Sequence, residues 1–217
     1  MSNNTGAINS NIQEHNPKFF RNKFENALSY SEYKNLVLRL ADERDTTGTE
    51  KSESRVNNTK LNAVRMKRWD NTIEILPGMV EITMDLKRDY AWLVLTESWC
   101  GDSAQNIPAI NKIAELSDNI GLGFIFRDEN PELMDCCLTS GTRSIPKLIS
   151  VDKSNWSYMG TWGPRPEPAQ EMMREHKRTK QKELAEVQKD IAIWYTKDKC
   201  ETIQKEFIEL INRWENS

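Results

Sequence analysis

Apolar residues recur at helical intervals in two runs near the start of the chain, Phe20, Phe24 and Leu28, then Tyr33, Leu36, Val37 and Leu40. Ser31 is placed to cap the second run. Residues 44–58 are almost wholly Asp, Thr, Gly, Ser, Glu and Lys, which predicts an exposed loop or linker. Helical spacing returns with Leu61, Val64, Met66, Trp69, Ile73 and Ile75, and Leu76-Pro77-Gly78 breaks it. A helix over 79–88 then leads into an apolar run of strand length at 90–96.

Behind that run, Gly101 opens a helical stripe of Ile107, Ile110, Ile113, Ala114 and Leu116, which Pro108 is expected to kink near its second turn. A strand follows at 122–126. Asn130-Pro131-Glu132 carries helix-start chemistry, and Gly141 is expected to end that helix. Residues 143–149 read as a strand that opens on Pro146, with a partner strand around 156–159. After Gly163-Pro164-Arg165-Pro166 the chain turns helical. Met172, Met173, Leu184, Val187, Ile191 and Trp194 make one apolar face with a polar break near Thr179. Ile203, Phe207, Leu210, Ile211 and Trp214 make another, with Asp198 and Glu201 spaced as a capping box.

Composition narrows the class. Residues 1–18 are rich in Asn and Ser and hold too little apolar surface to offset the entropy of ordering, so they read as a flexible tail. The 217 residues suffice for one elaborated domain. Charged residues make up 29% of the chain but nearly cancel, to a net charge of -3, so no basic field points to nucleic acid or to an anionic membrane. With no apolar run long enough to span a bilayer and a polar N-terminus, the expected location is cytoplasmic. In that reducing compartment the four cysteines, at 100, 136, 137 and 200, are expected as free thiols.

One of them carries chemistry. Cys100 falls where the strand ends and the helix begins, so its sulfur meets the unpaired N–H groups and the positive dipole end of that helix. A lowered pKa and a reactive thiolate are expected. Asp102 opposes this, although as an exposed charge it would be screened. Cys136 and Cys137 are adjacent and read as packing residues, as does Cys200. His176 has no second ligand at helical spacing and His15 lies in the tail, so no metal is called for, and no cofactor. The basic stretch from Arg174 to Lys182 is interleaved with Glu175 and reads as a solvated helix face.

The element order, with Trp99-Cys100-Gly101, Pro108 and Ser144-Ile145-Pro146, resembles the thioredoxin fold, an α/β architecture with a central mixed sheet flanked by helices. More closely, Cys100-Gly101-Asp102-Ser103-Ala104-Gln105, Arg127-Asp128-Glu129-Asn130, Arg143-Ser144-Ile145-Pro146-Lys147 and Trp162-Gly163-Pro164-Arg165-Pro166 resemble a bacterial group of uncharacterised thioredoxin-like proteins. The resemblance implies a core over 76–163, an N-terminal helical extension over 19–75 with its polar loop at 44–58, and C-terminal helices over 164–217 that complete the domain. It also implies a cis bond before Pro146, with the backbone at Ser144 and Ile145 pairing an extended substrate, and Trp99 as an apolar wall beside the thiol.

Two departures bear on function. Ser103 stands where thioredoxins carry the resolving cysteine, and Val94 where they carry a buried acid. Ser103 either donates a hydrogen bond to Cys100 or is merely a small tolerated residue. The expected activity is monothiol exchange through a mixed disulfide at Cys100, with Ser103 in support and Trp99, Gly101, Asp102, Ser144, Ile145 and Pro146 lining the site. Its partner would be a disulfide-containing protein or a low-molecular-weight thiol. The alternative is a non-catalytic thioredoxin-fold module that binds a protein; the sequence is silent on oligomeric state.

Overall fold

The computed structural model describes residues 17–217. At its centre lies β1 (Tyr90–Thr96), buried along its whole length. It pairs parallel with β2 (Ile120–Phe126) and antiparallel with β3 (Lys147–Asp152), and β3 pairs antiparallel with β4 (Ser157–Trp162), giving the order β2-β1-β3-β4. The parallel pair requires a crossover, which α5 (Gly101–Ala114) supplies.

Side chains alternate across a strand, and β1 feeds a separate core on each face. Tyr90, Trp92 and Val94 pack with Ile107, Ile110 and Ile113 of α5 and with Phe207, Ile211 and Trp214 of α9 (Glu201–Glu215). The Trp92 ring lies 5.1 Å from that of Phe207 and 6.2 Å from that of Trp214. Ala91, Leu93 and Leu95 face the other way, onto Phe20 of α1 (Pro17–Glu25) and Leu133 and Met134 of α6 (Pro131–Cys136). Covering on both faces explains why β1 is an unbroken apolar run rather than an alternating one. Each large side chain so buried contributes about 1.5–3 kcal/mol relative to exposure.

The remaining helices are α2 (Tyr30–Glu43), α3 (Glu53–Thr72), α4 (Pro77–Met84), α7 (Glu167–Thr179) and α8 (Leu184–Asp198). α2 and α3 pack into the first core through Tyr33, Val37, Met66 and Trp69. The N-terminal helices therefore cover the sheet instead of standing apart from it.

Several expectations need correction. The tail falls on residues 1–16, which lie outside the described residues, and on Pro17 and Lys18, which open α1. α2 is capped by Ser29, not Ser31. The Ser29 hydroxyl accepts from the Glu32 N–H at 3.3 Å, and the Glu32 carboxylate accepts from the Ser29 N–H at 2.8 Å. Only part of the polar stretch at 44–58 is an exposed loop: residues 44–52 form one, exposed at Arg44, Thr49, Glu50 and Lys51. α3 begins inside it at Glu53, and Thr46 is buried because its hydroxyl lies 2.8 Å from Thr59 Oγ1 and 3.1 Å from Ser98 Oγ. A polar residue whose hydrogen bonds are met inside the protein leaves no mark in composition.

α6 ends at Cys136, well before Gly141, which sits at φ 73° in the turn closed by Thr139 and Thr142. Asn130 precedes α6 but does not cap it with its side chain, whose amide donates to the Phe126 carbonyl at 2.8 Å. β3 starts after Pro146, at Lys147. No capping box forms at α9; Asp198 instead accepts from the Thr202 N–H at 3.2 Å.

Candidate functional site

The strand-to-helix junction places Cys100 at the N-cap of α5 with extended backbone, and no side chain caps that helix end. Its sulfur is turned inward. The residue is 7% exposed and packs in the second core with Ile145, while Sγ donates to the Ile145 carbonyl at 3.2 Å. The Ile145–Pro146 peptide bond is cis. Thus the junction and the segment ahead of β3, 45 positions apart in sequence, meet at the sulfur.

Burial overrides the helix-start effect. Loss of hydration pushes the Cys100 thiol up to about 11, and the Asp102 carboxylate pushes the same way. Hydrogen bonds from the hydroxyl and N–H of Ser103, and the charge of Arg165, oppose them without winning. The expectation of a lowered pKa is corrected accordingly: the resting thiol is protonated. Asp102 is likewise not an exposed, screened charge. Its side chain is 16% exposed and pairs with Arg165 at 2.5 Å, while the Tyr195 hydroxyl donates to it at 3.1 Å. Burial pushes its carboxyl up, and Arg165 and Tyr195 pull it back.

The Ser103 hydroxyl is buried next to Cys100. Thr96 Oγ1 donates to Ser103 Oγ at 2.9 Å, which leaves the Ser103 proton for Cys100. Behind Thr96, the Tyr33 hydroxyl lies at 3.1 Å, so buried hydroxyls run from α2 through β1 into α5. Trp99, half-buried, has the guanidinium groups of Arg55 and Arg127 over its ring, their central carbons 4.2 and 4.9 Å from the centroid. Gly101 lies against Arg65; a Cβ there would come within 3.3 Å of its Nη1. Ser144 is not drawn to the sulfur, since its hydroxyl lies 2.7 Å from that of Thr142.

Sequence reasoning missed several participants. Arg165 belongs to a motif noted in the chain, but only folding brings it to Asp102. Tyr195 comes from α8, where its hydroxyl is invisible among apolar spacing. Glu97 is fully buried three positions before Cys100, and its Oε1 accepts from the Asp128 N–H at 3.0 Å. An acid is therefore buried near the site although Val94 occupies the place where one is usual. The other cysteines are all free thiols. Cys136 and Cys137 donate to carbonyls of their own helix at 3.1 and 3.3 Å, and Cys200 is buried in the first core. Among the described residues no group of metal-ligating side chains forms a metal site, and no helix is long and apolar enough to cross a membrane.

This sheet order, with a cysteine at the first crossover helix facing a cis-proline segment, defines a thioredoxin-fold protein. The sequence model of the thioredoxin family matches residues 48–191, and the chain belongs to that family. Two solved structures share the fold. An HIV epitope-scaffold is 15% identical with a TM-score of 0.55, covering 88% of this chain and 96% of that one. A protein of unknown function from Pseudomonas aeruginosa is 18% identical with a TM-score of 0.53, covering 85% of this chain and 98% of that one. No curated protein matches the chain.

Proposed function

We infer that the chain carries out monothiol disulfide exchange through Cys100. The observation that carries this reading is the 3.2 Å contact between the Cys100 sulfur and the Ile145 carbonyl beside Pro146, which sets the one thiol of the junction against a peptide edge. The thiol rests closed and protonated. A disulfide arriving along the segment 144–146 displaces the contact with Ile145 and frees the sulfur, whose proton leaves to solvent. The Ser103 hydroxyl and N–H then stabilise the thiolate. The thiolate attacks one sulfur of the disulfide, the new S–S bond forms as the old one breaks, and the departing thiolate takes the electron pair. With serine at 103, an external thiolate resolves the mixed disulfide by attacking the partner's sulfur: a new S–S bond forms as the bond to Cys100 breaks, and Cys100 leaves with the electron pair as thiolate.

A second reading, a non-catalytic module that binds a protein on the Pro146 face, draws on the thiol pushed up to about 11. Trapping separates the two. Under the exchange reading, mass spectrometry finds mixed disulfides on Cys100, and Cys100→Ala abolishes thiol transfer. If Cys100→Ala leaves thiol transfer intact, exchange is abandoned; if partner capture then survives Cys100→Ala but fails in Pro146→Ala, the binding reading takes its place.

A further inference from the structure

A cavity of about 200 Å³ opens beside the start of α5, lined by Gly101, Asp102, Arg65 and Arg165 together with the apolar Met173 and Ile191. Its charges do not balance. Asp102 is already engaged, by Arg165 on one oxygen and Tyr195 on the other. Arg65 makes one side-chain hydrogen bond, from Nη1 to Asn62 Oδ1 at 3.0 Å; it feels the charge of Asp102 but makes no ion-pair contact with a carboxylate among the described residues. The Nε–H of Arg165 is buried with no acceptor. Two guanidiniums against one carboxylate leave a surplus of one positive charge, held in a partly desolvated site where burial lowers the Arg65 pKa. Gly101 is what allows Arg65 to lie against the helix start, where free backbone N–H groups already favour an anion.

We propose that this cavity receives the carboxylate of a small thiol, making the exchange partner of Cys100 a low-molecular-weight thiol or its disulfide that bears a free carboxylate. The inference rests on the exchange reading above and narrows its substrate class. One surplus positive charge suits a monoanion, and guanidinium forks bind carboxylates in plane with two hydrogen bonds. The volume equals that of roughly six or seven water molecules in the liquid, enough for a carboxylate on a short stem that Met173 and Ile191 would cover. Gly101 and Asp102 follow Cys100 directly, and the charges of two lining residues, Asp102 and Arg165, act on its thiol, so the cavity lies close to the sulfur although Cys100 itself does not line it.

The test compares two disulfides, dithiodipropionate and the neutral hydroxyethyl disulfide, by the rate at which each forms a mixed disulfide with Cys100; dithiothreitol then reverses the product. With a net charge of -3 the protein as a whole repels the anion, so a preference for dithiodipropionate has to arise locally. The expected result is a preference of about tenfold or more for the anionic probe, lost in Arg65→Gln. A parallel measurement follows binding of methylthiopropionate, which cannot exchange, to the Cys100→Ala protein by NMR. Equal rates for the two disulfides together with no binding of methylthiopropionate overturn the proposal while leaving exchange in place. Binding that Arg65→Gln abolishes, with neither disulfide reacting, removes the exchange reading and leaves the carboxylate site.

Discussion

At the scale of single residues, the site turns on a contest between burial and local charge at Cys100. Asp102 raises the thiol pKa and Arg165 lowers it, so the two members of one ion pair act on the sulfur with opposite sign. In Asp102→Asn the carboxylate charge, which after burial does most to raise it, is removed and the arginine charge is left uncompensated, both of which favour thiolate. Alkylation of Cys100 at pH 8 is expected to quicken by about tenfold, the effect of one pKa unit, and its pH profile to shift to lower pH. A profile that stays in place would show that Asp102 does not reach the sulfur. Much of this was legible in the chain: Cys100 at a strand-to-helix junction, Ser103 in place of a thiol, Asp102 close by. What was not legible is the depth of the sulfur, because burial is decided by side chains from α1, α6, β3 and Ile145 that no local pattern ties to position 100.

At the scale of elements, the segment between β3 and its neighbours is held by backbone contacts at Gly163. That residue has φ 110°, in the region that favours glycine, and a Cβ there would collide with the Pro146 carbonyl oxygen. Its own carbonyl accepts from the Lys147 ammonium at 3.0 Å. Gly163→Ala is expected to destabilise the protein by about 3 kcal/mol, read as a lower urea midpoint, since strain and overlap act together. An unchanged midpoint would mean that the turn relaxes without loss. The sequence displayed Gly163-Pro164-Arg165-Pro166 as a motif, yet its two partners, Pro146 and Asp102, lie in other elements. Within the polar stretch at 44–58, Thr46 and Thr47 are satisfied on Ser98, across 52 and 51 positions, and composition counts only that they are polar.

At the scale of the whole molecule, the strands of the sheet and the helices with strong periodicity were readable, because β1 is apolar up to Thr96 and α9 keeps one apolar face. Helix ends were less so, since a cap such as Ser29 competes with equally suitable neighbours such as Ser31 and only geometry decides. How α2 and α3 close over the site was not readable at all; it depends on Tyr33 meeting Thr96 and Asn62 meeting the Ser98 carbonyl. The sulfur itself is covered from the other face, by α1, α6, β3 and Ile145, and that cover gives the 7% exposure of Cys100 a kinetic meaning. A reagent reacts only with molecules in which the covering segments have parted, so the thiol acts as a clock for that motion. With rising alkylating reagent the observed rate should first climb in proportion and then level off, the plateau being the opening rate itself. Proportional growth without limit would mean that the sulfur is reached directly from the closed state.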